Sequence, residues 1–111
     1  MDFIAIHWYA STNVASFLTH IDAVYAKYGL PIWVTEMNCA DWSGSKAATF
    51  GYSLTSVKAF MKGAFEGMDA RSYVERYTWK NRACDDIYMG SGCLWNLDGS
   101  LTELGQYYSN Y

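Results

Sequence analysis

The chain is short of proline, cysteine and positive charge. In 111 residues it has one proline, three cysteines and eight lysines plus arginines, against eleven acidic residues and a net charge of −3. Without a Lys/Arg stripe it has no electrostatic footprint for a nucleic-acid partner. No apolar run approaches the roughly 18 residues a membrane-spanning helix needs, so no membrane partner is expected. Met1-Asp2-Phe3-Ile4 offers neither the charged n-region nor the cleavage site of a signal peptide. Cys39, Cys84 and Cys93 match no zinc spacing, and neither a metal nor a cofactor is expected. Their odd count leaves at least one unpaired within the chain. A Cys84–Cys93 bridge, a Cys39–Cys84 bridge and simple thiols all remain open. No Gly-x-Ser-x-Gly elbow is present, Gly90-Ser91-Gly92 does not link a strand to a helix, and nothing in the spacing supports a Cys39–His7 thiol pair.

What the chain does have is apolar and aromatic surface. Hydrophobic residues make up 51% and aromatics 18%, with five tryptophans and ten tyrosines. That is ample for the core of one small domain. Part of the aromatic content also suits flat apolar ligands such as sugar rings.

The order of elements is β-α-β-α-β-loop-α. Residues 3–9 form an apolar run without helical period. Val14, Phe17, Leu18, Ile21, Val24, Tyr25 and Tyr28 recur at spacings of three and four, which predicts an amphipathic helix closed by Gly29. Pro31-Ile32-Trp33-Val34-Thr35-Glu36 predicts a buried strand that ends on a carboxylate. A second helix follows, capped by Ser43 or Ser45. Phe50, Leu54, Val57, Met61, Ala64 and Met68 lie on one face, and Gly67 weakens its end. Residues 71–79 predict a third strand, 80–92 a loop, 93–97 an extended piece and 101–108 a final helix with Thr102 as a possible cap. Strands alternating with helices imply parallel pairing through crossover helices. Three such strands leave edges and faces uncovered, so the chain reads as part of something larger or as a protomer that self-associates.

Functional groups gather at the strand ends. By alternation His7 and Tyr9 share a face, as do Val34 and Glu36, and as do Tyr77 and Trp79. If those faces meet at a common centre, Glu36 is flanked by His7, Tyr9 and Trp79, with an aromatic floor for a pyranose. Alone, each has a plainer reading. Glu36 could be a solvated terminus, His7 a core histidine, and Tyr9 and Trp79 core aromatics. Their coincidence at strand ends is what suggests a site. Glu75 and Arg76 read as structural ion pairs, and Asp41, Asp85 and Asp86 as solvated turn residues.

Four segments, in order, are more specific: Asp2-Phe3-Ile4-Ala5-Ile6-His7-Trp8-Tyr9, Pro31-Ile32-Trp33-Val34-Thr35-Glu36, Val74-Glu75-Arg76-Tyr77-Thr78-Trp79, and Leu97-Asp98-Gly99-Ser100-Leu101-Thr102-Glu103-Leu104-Gly105-Gln106-Tyr107-Tyr108. Over nearly the whole chain they resemble the Asl1-like glycosyl hydrolase catalytic domain, glycoside hydrolase family 128, whose members are endo-β-1,3-glucanases. The resemblance implies a (β/α)8 TIM barrel, of which residues 1–111 would be a partial domain holding about strands 6–8. It implies that Glu36 is the nucleophile of a retaining hydrolase, and that His7, Trp8, Tyr9, Trp42, Tyr77 and Trp79 line a cleft for a β-glucan polysaccharide. It further implies an extracellular or cell-wall setting for the full-length protein. The family's acid/base glutamate, in an Asn-Glu-Pro-like motif after strand four, has no counterpart here, so the isolated chain is expected to be inactive. Met37 and Lys80 stand where the family often has aromatics, which bears on substrate fit. The alternative is a non-catalytic carbohydrate-binding or oligomerising barrel remnant.

Overall fold

A computed structural model describes residues 2–43 and 50–111. Three parallel strands form one sheet in chain order: β1 (Ile4–Ala10), β2 (Ile32–Cys39) and β3 (Val74–Trp79). Helices α1 (Val14–Tyr28) and α2 (Leu54–Asp69) make the two crossovers, and α3 (Glu103–Asn110) closes the chain.

Local chemistry explains where the helices start and stop. The Asn13 side chain accepts from the Ser16 N–H at the head of α1, and Gly29, at φ 64°, ends that helix in the left-handed region. Ser53 caps α2, in place of the expected Ser43 or Ser45. Ser43 instead donates to the Asp41 carboxylate, and Ser45 lies outside the described residues. Phe50 therefore precedes the helix rather than lying on its face. Gly67 sits inside α2 and does not end it. A Cβ there would stand 2.6 Å from Leu18 Cδ1, and one on Gly63 would stand 2.8 Å from Val14 Cγ2. These two glycines, one turn apart, let α1 settle against α2. Thr102 caps α3 by accepting from Gly105 N–H.

The helices bury one face of the sheet. Ile6, Ile32, Val34, Met37 and Cys39 from the strands pack with Phe17, Ile21, Val57, Phe60, Met61, Phe65, Met68 and Leu104. Among the described residues no helix covers the other face. There Phe3 stacks on Trp33 at 3.9 Å, Arg76 lies over the same indole at 5.1 Å, and the indole N–H donates to Glu75 at 3.0 Å. Glu75 and Arg76 thus engage Trp33 and not the ion pairs the sequence suggests.

β3 starts at Val74 rather than Arg71, because the Val74 N–H donates to the Arg71 carbonyl at 3.1 Å and closes a turn there; the Arg71 side chain makes a forked contact to Asp22, at 2.7 and 2.9 Å, and donates to the Gly67 carbonyl. β2 runs three residues past Glu36 to Cys39. The expected extended piece at 93–97 reduces to one antiparallel bridge, Trp95 to Leu101.

The pairing of β2 with β3 shifts first between Ile32 and Trp33, where β3 carries the extra residue Glu75, and a second irregularity, shared with β1, lies in β2 itself. Ile6 pairs with Val34, but the next residue, His7, pairs with Glu36. On the other side Val34 pairs with Tyr77 and Met37 with Trp79. β2 therefore carries one extra residue between Val34 and Met37 relative to both neighbours, which is a β-bulge at Thr35.

Candidate active site

The bulge decides which side of the sheet receives the acid. Strict alternation would put Glu36 beneath the helices with Val34. With one residue added, Val34 and Met37 both face the core, and Glu36 turns to the open face. The shared face expected for Val34 and Glu36 is thereby corrected. β1 has no bulge of its own, so Ile6 and Trp8 face the helices while His7 and Tyr9 face out beside Glu36.

The Tyr9 hydroxyl donates to Glu36 Oε2, and His7 Nδ1 lies 3.7 Å from the same oxygen. The His7 and Tyr9 rings meet edge to face at 6.2 Å. The Glu36 side chain is 35% exposed, so a ligand can reach it. Its pKa is held below the usual carboxylate value, first by the Tyr9 hydrogen bond and then by the nearby charge of His7, Lys80 and Arg82, while partial desolvation pushes upward. Tyr9 responds in the opposite sense. Burial and the adjacent carboxylate raise its pKa to about 12. At neutral pH the pair is therefore a carboxylate held by a protonated phenol, poised to attack an electrophile or to steady a developing positive charge.

Trp42 joins this group from the loop after β2. Its indole N–H donates to the Tyr9 carbonyl at 2.5 Å, and its ring is 57% exposed. Three other residues expected in the cleft are held elsewhere. Trp8 packs on Phe17 at 5.3 Å and donates to the Ser11 carbonyl. Tyr77 packs on Phe65 at 4.8 Å and donates to Asp69. Trp79 is 3% exposed, lies 6.3 Å from Phe60, and donates to the Gly92 carbonyl at 2.8 Å. Tyr77 and Trp79 do share a face, but it is the helix-covered one, because they pair with Val34 and Met37 on the core side of the bulge.

Asn38 lies on β2, two residues past the Glu36 at which the sequence predicts the strand to end. It is fully buried, donates to the Lys80 carbonyl at 2.9 Å, and accepts from the Cys39 N–H at 2.7 Å. A Cβ on Gly92 would stand 2.0 Å from Asn38 Oδ1, so only glycine permits this approach. Asn38 and Trp79 together knit the loop after β3 to the end of β2. Its position two residues beyond Glu36 was the only available signal.

The loop after β3 is closed by a Cys84–Cys93 disulfide, and Cys39 is a buried free thiol whose pKa burial raises. Among the described residues no three metal-ligating side chains gather. Hollows of about 370 Å³ between α2 and α3 and about 430 Å³ beside the start of β1 contain none of the groups around Glu36. Convergent chemistry rather than depth marks the site.

The glycosyl hydrolase catalytic core model matches residues 1–108. The chain is 36% identical over 113 aligned residues to alkali-sensitive linkage protein 1 of Schizosaccharomyces pombe. The alignment takes in 97% of this chain and 20% of that protein. It superposes with a TM-score of 0.77 on a subgroup II endo-β-1,3-glucanase of glycoside hydrolase family 128 from Sorangium cellulosum. Identity there is 26%, over 97% of this chain and 40% of the other. A subgroup VII oligosaccharide-binding protein of the same family, from Trichoderma gamsii, superposes at 0.74 with 25% identity, over 98% and 40%. The chain thus spans less than half the length of these relatives, and across nearly all of its own length it belongs to the glycosyl hydrolase catalytic core family.

Proposed function

We propose that the chain is the nucleophile-bearing part of a retaining β-1,3-glucan hydrolase, equivalent to about strands 6–8 of a (β/α)8 barrel. The observation that carries this is the Glu36 carboxylate, turned to the open face by the bulge and held ionised by Tyr9 and His7. A retaining glycoside hydrolase needs such a group to attack the anomeric carbon. Glu36 forms the glycosyl ester while a second carboxylic acid, about 5–5.5 Å away, protonates the departing oxygen. The second group then activates the water that releases the sugar. We assign that second acid to a strand outside these 111 residues, by analogy with relatives of which this chain covers 40%.

His7 and Tyr9 orient Glu36, and Trp42 offers an exposed ring to the polysaccharide. The disulfide suits an oxidising compartment, which supports an extracellular or cell-wall setting.

The test is laminarin hydrolysis. The 111 residues alone should release no sugar, whereas the full-length protein should do so and lose the activity with Glu36→Gln. Unchanged turnover in Glu36→Gln would remove the assignment.

A second reading is a non-catalytic glucan binder, favoured by the likeness to the oligosaccharide-binding protein of subgroup VII. Full-length protein that retains β-1,3-glucan without releasing reducing sugar would select it.

A further inference from the structure

We propose that the disulfide-closed loop from Cys84 to Cys93 builds a glucosyl-binding subsite next to the Glu36 centre, floored by Tyr88 and Trp42, with Asp86 as its positioning residue. The proposal rests on the reading that the protein takes a β-1,3-glucan.

The Tyr88 and Trp42 rings lie 5.1 Å apart at 40°, two flat apolar faces meeting in a shallow V. The face of a glucopyranose, where axial C–H groups gather, packs on such a surface, while its equatorial hydroxyls point outward to polar partners. Trp42 is exposed and is also tied through its indole N–H to Tyr9, the residue that holds Glu36. The platform and the acid are therefore fixed relative to each other.

Tyr88 is fixed from the other side. Its N–H donates to Asp86 Oδ1 at 2.9 Å, and its carbonyl accepts from the Asp41 N–H at 3.1 Å. Gly51, at φ 100°, lies so close that a Cβ there would stand 2.4 Å from the Tyr88 carbonyl oxygen. Asp86 does more than cap one amide. Its Oδ1 also accepts from Met89 N–H at 2.9 Å, and its Oδ2 accepts from Arg82 Nη2 at 3.2 Å. With a side chain only 17% exposed, Asp86 is the hub of the loop and not the solvated turn residue that its sequence context suggests. One carboxylate thus holds both the Tyr88 backbone and the Arg82 guanidinium, so the hub ties a cationic donor to the residue that carries the aromatic floor. The Cys84–Cys93 bridge, with Cα atoms 5.0 Å apart, fixes both ends of the loop. An ordered pair of rings, rigid before ligand arrives, loses little conformational freedom on binding.

The experiment is calorimetric binding to the full-length protein carrying Glu36→Gln, with laminarihexaose and laminaribiose as probes. Tyr88→Ala should weaken laminarihexaose by about tenfold, the cost of one well-packed aromatic contact, and leave laminaribiose unchanged. Tyr88→Phe should restore the longer ligand. Asp86→Asn, which keeps an oxygen to accept the two amide N–H groups and removes the carboxylate charge that faces Arg82, should weaken laminarihexaose less than Asp86→Ala. A general loss of fold would affect both probes and would not be rescued by Tyr88→Phe. If the parent protein binds laminarihexaose and Tyr88→Ala binds it equally well, the subsite is overturned while the glucanase reading stands. If the parent binds neither probe, that reading falls and the subsite falls with it.

Discussion

Asp22 and Glu36 are both carboxylates that accept a tyrosine hydroxyl, and they differ in what else surrounds them. Asp22 on α1 takes the hydroxyl of Tyr73, just ahead of β3, together with both arms of the Arg71 guanidinium. Tyr25 stacks on Tyr73 at 4.1 Å and covers the pair. Glu36 takes the hydroxyl of Tyr9, near the end of β1, with an imidazole nitrogen at 3.7 Å and no fork. Both acids are shifted toward the ionised form, Asp22 chiefly by Arg71 and Glu36 chiefly by Tyr9. The causes separate their uses. A bidentate guanidinium neutralises a carboxylate and uses its lone pairs, which staples α1 to the α2–β3 junction. A phenol orients a carboxylate, keeps it ionised and leaves most of its negative charge available to a substrate.

The largest expected effect removes the available charge. On the proposal that Glu36 is the nucleophile, Glu36→Gln in the full-length protein should lower kcat by roughly three orders of magnitude or more. Asp22→Asn should leave activity intact and lower stability. It weakens hydrogen bonds from a charged donor at a partly exposed site, worth about 1 kcal/mol after allowance for solvent, and the shift in Tm by calorimetry checks it. Should Asp22→Asn abolish activity at unchanged Tm, the division of roles would be wrong.

The pH dependence sharpens the contrast. Both folded-state pKa values are lowered, so the stability each pair contributes is present above the unfolded carboxylate pKa of about 4. It is lost as pH falls through the lowered folded value. Arg71→Ala should therefore flatten the acid limb of the stability curve, and urea midpoints measured across that range would show it. The smallest effect belongs to the hydroxyls. Tyr9→Phe should raise the Glu36 pKa and move the acid limb of the kcat/KM profile upward, whereas Tyr73→Phe should leave that profile where it is.

Much of the fold could be read from the chain. The spacing of three and four from Val14 to Tyr28 reflects a one-sided core, and Gly29 ends that helix as glycine usually does. The apolar run to Glu36 is a strand for the same reason, since Ile32 and Val34 are wholly buried. His7 and Tyr9 were also legible as neighbours of Glu36, whereas Trp42 entered only through the family resemblance, as a cleft residue. What was not legible depends on tertiary contact. Several serines precede α2, and the choice of Ser53 over Ser43 rests on where the helix meets the sheet. Cys84 met Cys93 because Asn38 and Trp79 hold the intervening loop against the strand ends. Tyr77 and Trp79 were placed in the cleft because nothing local reveals a bulge, and without it the faces of β2 and β3 cannot be matched.

That bulge gives β2 a parity. Counting from Ile32, the inward positions are 32, 34, 37 and 39, so the strand changes from even to odd at Thr35. A chain lacking Thr35 would alternate without interruption and still send Glu36 outward and Met37 inward. Loss of Val34 would instead take a side chain out of the core, and an added residue between Glu36 and Met37 would put the run from Met37 to Cys39 on the wrong side. Tolerance to insertion and deletion along this strand should therefore vary from one position to the next, with Thr35 the one place where the length can change and the acid keep its side.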